Sequence, residues 1–314
     1  MYIFKSQKIS VNKLSHKSSL FDYYFFIYYL KMSYIVGILT VPYDLSYSYI
    51  SYEHILLLQY YKLTVYPIPY DTIDHKYYFD RINGLYIPSG IISKEHIKSK
   101  IVISDKLTKF IDTCSKFIKL AIQSYNNNIP FPIWGTCLGM ETMIQAIDKN
   151  ILLSRFNSYP NYIIPFNPTK SGMLNSNIIK YMDEETLKYW MSYPIEIHNH
   201  GKGISINKFM KSSLLTNIFN IVSIGTDKDN HKFVSLIEGK KYPFYGVQWH
   251  PELSKRTYSV LISFVNDIKN SKKKTNDSWL DDRRKLKSTI DTRICPKYSD
   301  NLYKKCVFYS NSPM

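Results

Sequence analysis

From Ser33 onward, short apolar runs alternate with stretches in which apolar residues recur three and four apart, a pattern that predicts strands and helices in turn. "YIVGILTVP" reads as a strand ending at Pro42, "YISYEHILLLQYYK" as a helix and "LTVYPIP" as a second strand. "INGLYIPSG" predicts a third strand that runs into a turn at Pro88 to Gly90. A helix follows from about Asp105, and "FPIWG" is the next strand. Ile151 to Met191, rich in Asn, Pro and Ser, reads as loops and short strands with one helix over Glu184 to Trp190. "FVSLIEG" and "YPFYGVQWHPE" are two late strands, and "YSVLISFVNDIKN" is a closing helix. Short apolar strands separated by helices predict an α/β domain, an open and mostly parallel sheet covered by helices on both faces. In such sheets ligands sit beyond the carboxyl ends of the strands.

Composition sets the limits of this domain. With 314 residues, 45% of them hydrophobic, the chain can bury a real core, in one large domain or two small ones. The pattern divides it into an N-terminal extension (1–33), an α/β domain (34–269) and a basic tail (270–314). Apolar periodicity stops after Asn270, and the tail is expected to be solvated and disordered. A net charge of +16 suits nucleic acid, an anionic surface or a polyanionic small substrate. Basic residues crowd the ends, as at Lys272 to Lys274 and Arg283 to Lys285, and no aromatic and basic interleaving supports nucleic acid as a partner. Near the N-terminus, Lys5, Lys8, Lys13 and Lys17 precede "LFDYYFFIYYL", which is either a signal-peptide core or a plain extension; Asp22 interrupts it and no clear cleavage site follows. It is too short to cross a bilayer, no other segment could, and no integral membrane span is expected.

Four cysteines do not make a disulfide scaffold in a chain of this length. Cys114 shares an apolar helix face with Phe110, Phe117, Ile118 and Ala121 and is expected in the core, while Cys295 and Cys306 could pair in an oxidising compartment. Cys137, in "PIWGTCLGME", lies between Gly135 and Gly139 at a strand-to-helix junction, the arrangement of a nucleophile elbow. Taken alone it reads equally as a small thiol packed under a helix. If it is a nucleophile, the following helix N-terminus should lower its pKa and offer amides to an oxyanion. "YGVQWHPE" favours the nucleophile: His250 and Glu252 are two residues apart and expected on one side, so the carboxylate can orient the imidazole as a base. Neither His nor Cys spacing suggests a metal site.

These two motifs, with "LYIPSG", "NPTKSG" and "NHGKGISI", resemble the class I glutamine amidotransferase-like superfamily and, within it, the gamma-glutamyl hydrolases, from about Tyr34 to Lys269. The resemblance implies a flavodoxin-like three-layer fold and a Cys137, His250, Glu252 triad. It further implies cleavage of folate poly-γ-glutamate tails through a γ-glutamyl thioester, with no cofactor. Oxyanion donors would come from the amides of Leu138 and the turn at Ser89 and Gly90. Glu141 and His200 match positions near substrate, although a helix-dipole role for Glu141 and a plain surface role for His200 stay open. The family's address implies the secretory pathway, a lysosome or vacuole, or the exterior; a chain without a cleaved signal would be cytoplasmic. A homodimer is compatible with all of this. A glutaminase subunit delivering ammonia to a synthetase is the alternative on the same triad, and a non-catalytic scaffold the alternative from another class. One departure stands out: the family has Gly-Gly after the turn proline, and this chain has Ser89-Gly90. If the first position needs φ > 0, serine there costs on the order of 1 kcal/mol and displaces the oxyanion amide.

Overall fold

The computed structural model describes residues 34–92, 100–271, 291–293 and 306–310. The N-terminal extension, its apolar run, Cys295 and the lysine and arginine clusters of the tail lie outside the described residues.

Apolar runs buried on both faces form the parallel strands, since helices cover each side of the sheet. β1 (Ile35–Leu39) has all five residues buried. β2 (Val41–Pro42) and β3 (Tyr47–Ser51) follow, then β4 (Thr64–Ile68), β5 (Gly84–Ile87) and β6 (Ile133–Thr136). β7 (Ser154–Pro165), β8 (Pro194–Gly203), β9 (Phe219–Thr226), β10 (Lys232–Gly239) and β11 (Phe244–Val247) complete the domain, and β12 (Asp291–Arg293) and β13 (Cys306–Ser310) come from the tail. A seven-stranded sheet runs β4-β1-β5-β6-β11-β10-β9. It is parallel from β4 through β11 and antiparallel across β11-β10-β9, so the sheet is mostly parallel.

Successive β1 side chains feed opposite cores, as the two-residue period requires. Ile35 and Leu39 pack with Phe110, Cys114 and Phe117 of the long helix Lys100–Asn126. Val36 and Ile38 pack on the other face with Phe264 and Val265 of the closing helix Ile262–Lys269. Cys114 is fully buried, as its helical spacing requires.

Four expectations change. Tyr47–Ser51 is strand and the helix begins only at Tyr52, because β-branched and aromatic residues there pair with β2 before the helical register starts. The Ile151 to Met191 region holds a 12-residue strand, β7, which pairs antiparallel with β8; its register shifts at several points, which scatters the alternation. The first four residues of the expected closing helix, Tyr258 to Leu261, belong instead to a 3-10 segment, Lys255–Leu261.

The tail is the fourth correction. β13 pairs antiparallel with β3, and β12 with β13, in a four-stranded sheet with β2. Cys306 is disulfide-bonded. Cys306 and Phe308 are buried with Val41 and Tyr49, and Ile91, Leu138 and Leu253 pack against this cluster. Alternate residues of one five-residue strand suffice to dock it, a signal too short to register as periodicity among charged neighbours. Deleting Lys305 to Met314 should therefore lower the melting temperature by about 5 °C or more, the scale for losing one buried aromatic from a domain this size. An unchanged melting curve would show that the strand contributes nothing.

Candidate active site

β5, β6 and β11 are neighbours in the sheet, and their carboxyl ends deliver the Pro88 to Gly90 turn, Cys137, and the Gln248 to Glu252 segment to one place. The register aligns Thr136 with Val247 and Gly135 with Ile87. Cys137 follows β6 at φ 49° and ψ −107° and caps the helix Leu138–Ile147. A non-glycine residue in that region is strained on the order of 1–3 kcal/mol and persists only where its surroundings fix it. Here the Cys137 N–H donates to the Val247 carbonyl at 2.7 Å, and the Cys137 carbonyl accepts from Glu141 N–H at 3.0 Å. The flanking glycines are steric requirements. A Cβ on Gly135 would stand 2.8 Å from the Gly139 carbonyl, and one on Gly139 would overlap the Ile87 carbonyl oxygen.

His250 and Glu252 lie beyond the strand, Glu252 in the 3-10 turn Pro251–Leu253. The expected contact forms nonetheless: His250 Nδ1 donates to Glu252 Oε1 at 2.8 Å, both groups buried. The His250 N–H is anchored on the Ile197 carbonyl of β8 at 2.9 Å.

The thiol departs from expectation. Burial, and after it the Glu141 and Glu252 carboxylates, hold Cys137 well above its ordinary pKa, while the Leu138 amide and the Gln248 side chain pull it down without prevailing. Desolvation of the sulfur outweighs the helix N-terminus, so the resting nucleophile is a thiol and needs a base to ionise it. Glu141 is itself pushed up to about 7 by burial, with Gln248 and Lys202 opposing.

Sequence reasoning passed over Gln248, although it stands inside the quoted motif. Its Nε2 donates to Glu141 Oε1 at 2.9 Å and lies 3.7 Å from Cys137 Sγ, which joins the elbow helix to the segment carrying His250. It named His200 but passed over the rest of a buried row on β8, where Glu196, His198 and His200 share one face at two-residue spacing. His200 Nδ1 donates to the Lys202 carbonyl at 2.6 Å, which leaves Nε2 to accept from His198 Nδ1 at 3.1 Å. His198 Nε2 then meets Glu196 Oε2 at 3.0 Å with one proton between them. Burial pushes Glu196 up to about 8 and holds His198 well below its usual range, so the carboxyl keeps that proton. His200 thus lies near His250, whose charge disfavours its own, but with both ring nitrogens engaged inside the row.

Ser89 is buried, and neither it nor Gly90 has positive φ. The expected strain at Ser89 is absent, because the turn leaves β5 in a conformation open to any residue. Asp227, Asp229 and His231 bring potential ligand atoms within 4.8 Å of one another, yet Asp227 is already committed to the backbone N–H groups of Asn157, Asp229 and His231 and shapes a turn. Among the described residues, no helix is long and apolar enough to cross a membrane.

Residues 43–268 match the family described as glutamine amidotransferase class-I, and the chain belongs to that family. Gamma-glutamyl hydrolase B of Dictyostelium discoideum is 31% identical over 82% of this chain and 80% of its own length. Gamma-glutamyl hydrolase of Rattus norvegicus is 28% identical over 81% of this chain and 80% of its own length. Within the class I family, the chain belongs with the gamma-glutamyl hydrolases.

Proposed function

We propose that this protein hydrolyses γ-glutamyl amide bonds of poly-γ-glutamate chains, folate poly-γ-glutamates among them, with Cys137 as nucleophile, His250 as base and then acid, and Glu252 as orienter. The observation that carries the reading is the strained elbow at Cys137, held by the Val247 carbonyl next to the His250 and Glu252 pair. Strain of this kind is retained where it exposes a reactive atom.

In the reaction, His250 Nε2 takes the thiol proton as sulfur attacks the γ-carbonyl carbon. The tetrahedral oxyanion is held by the Leu138 amide, with the turn at Ser89 and Gly90 supplying the second donor. Collapse breaks the C–N bond, His250 passes its proton to the leaving amine, and a γ-glutamyl thioester remains. Water, deprotonated by His250, then releases the γ-carboxylate and restores the thiol. Because the thiol rests protonated, the charge pair forms only with substrate in place. Glu141, held by Gln248 and sensing the Lys202 charge, faces the bound glutamyl group, and Lys202 meets a substrate carboxylate. His200 shapes the Lys202 backbone through its Nδ1 hydrogen bond.

The disulfide at Cys306 supports an oxidising compartment, hence the secretory pathway, a lysosome or vacuole, or the exterior. Incubation with a folate poly-γ-glutamate, products resolved by chain length, should release shortened folates and glutamate or oligoglutamate. Release of ammonia from free glutamine with the polyglutamate left intact would overturn the reading in favour of a glutaminase.

A further inference from the structure

His54, in the middle of the helix Tyr52–Tyr60, is fully buried. Its Nε2 lies 2.7 Å from Ser89 Oγ and 3.5 Å from Glu252 Oε1, and its Nδ1 lies 2.9 Å from the Tyr86 hydroxyl. Ser89 Oγ is 3.2 Å from Glu252 Oε1. Tyr86 continues to Thr136 Oγ1 at 2.9 Å, and Thr136 accepts from the Trp134 indole at 2.8 Å. A continuous buried chain therefore joins the strand that leads into Cys137 to the carboxylate that orients His250.

Chemistry fixes the direction of this chain at both ends. The Trp134 indole only donates, and an ionised Glu252 only accepts. The one Ser89 proton goes to Glu252, so Ser89 must accept from His54 Nε2–H. A neutral His54 is then bare at Nδ1 and accepts from Tyr86, which accepts from Thr136. Every donor points toward Glu252, and Oε1 of that carboxylate receives both Ser89 and His250. Burial holds His54 down at about 4, the neutral form this order requires at ordinary pH.

We propose that Ser89 and His54 are positioning residues for Glu252: the serine hydroxyl, where the family's turn has glycine, delivers the His54 chain to the carboxylate and locks it against His250. The proposal rests on the triad reading given above. A carboxylate oxygen held by two donors cannot swing, so the His250 Nδ1–H stays pinned and Nε2 stays available as the base. Among the described residues, the titratable groups that act on this pair are Cys137 on the elbow, Tyr86 on β5, His54 on its helix, His198 and His200 on β8, and Tyr258. The serine is thus a gain of a contact, and Ser89→Gly should impair the enzyme.

The test compares wild type, Ser89→Gly, Ser89→Ala, His54→Gln and the Ser89→Ala/His54→Gln double variant by kinetics on a poly-γ-glutamyl substrate and by 15N NMR of the imidazoles. In wild type His54 should be protonated at Nε2 and bare at Nδ1. Each single variant should lose about tenfold in kcat with KM within about twofold, the scale for one hydrogen bond to a charged group. The double variant should be no worse than the worse single, since both act through one chain. The His250 Nδ1–H resonance should move in Ser89→Gly, a change that mere loss of stability does not produce. An Nδ1-protonated His54, an unmoved His250 resonance, an unchanged or faster Ser89→Gly enzyme, or multiplying effects in the double variant would each overturn the proposal. If wild type does not cleave the substrate, the functional reading fails, while the His54 tautomer and the His250 resonance still decide this inference on the intact protein.

Discussion

Cys137→Ala is expected to cut hydrolysis at least about 10⁴-fold while the melting temperature stays within a few degrees of wild type. The two halves of that expectation have different sources. Activity falls because the sulfur forms the covalent intermediate, and Cys114, the other free thiol among the described residues, is fully buried in the apolar core with Phe110 and Phe117. Stability holds because alanine keeps the Cβ and the Cys137 N–H to Val247 anchor, and gives up only one sulfur atom. Steady-state rates and thermal melts on the same preparation check it. His250→Ala should cost a similar factor, and the double variant little more, because nucleophile and base act as a unit. Retention of activity within roughly tenfold in Cys137→Ala would remove the covalent mechanism.

The part of this site legible in the sequence is the part that local chain order creates. Gly135, Cys137 and Gly139 reveal an elbow because the backbone must turn within a few residues, and the small neighbours are dictated by the Ile87 carbonyl and the helix's own first turn. His250 and Glu252 are close in sequence, so their contact survives even though the strand ends earlier, at Val247. Contacts that depend on which strands lie side by side left no such trace. His54 reads as one of several polar positions, with Glu53 and Gln59, in a largely apolar helix, and nothing local says that β5 and the Glu252 turn will meet it. The β8 row was hidden because its polar residues face inward, inverting the usual meaning of alternation. The thiol's pKa was misjudged for a related reason. A helix N-terminus is visible in sequence, whereas the burial that outweighs it is a property of the assembled sheet. Ser89 shows the same limit from the other side. Glycine at a turn suggests positive φ, but here the neighbouring Val41 and Tyr49 side chains crowd Gly90 while the backbone stays ordinary.

Gly139→Ala should be the most damaging single-methyl change at the site. Its Cβ would overlap the Ile87 carbonyl oxygen and stand 2.7 Å from the Ile87 carbonyl carbon and 3.0 Å from the Pro88 oxygen. All three atoms are backbone, so no rotamer change relieves the overlap. The helix Leu138–Ile147 and the end of β5 must separate instead. Overpacking in a closed core costs about 1–3 kcal/mol and more where backbone must move, which in a domain of this size lowers the melting temperature by roughly 3–10 °C. The functional loss should be larger than the structural one. The same displacement widens the gap between the Leu138 amide and the Pro88 to Gly90 turn, the two sides of the proposed oxyanion site. A misplacement of about 1 Å there is worth on the order of 10²-fold in rate. The loss should fall on kcat, because the amides grip the tetrahedral intermediate more tightly than the ground-state carbonyl. Kinetics well below the melting transition separate the two effects. A variant that melts lower yet keeps its kcat would show that the elbow yields without moving its amides, and that the oxyanion is held elsewhere.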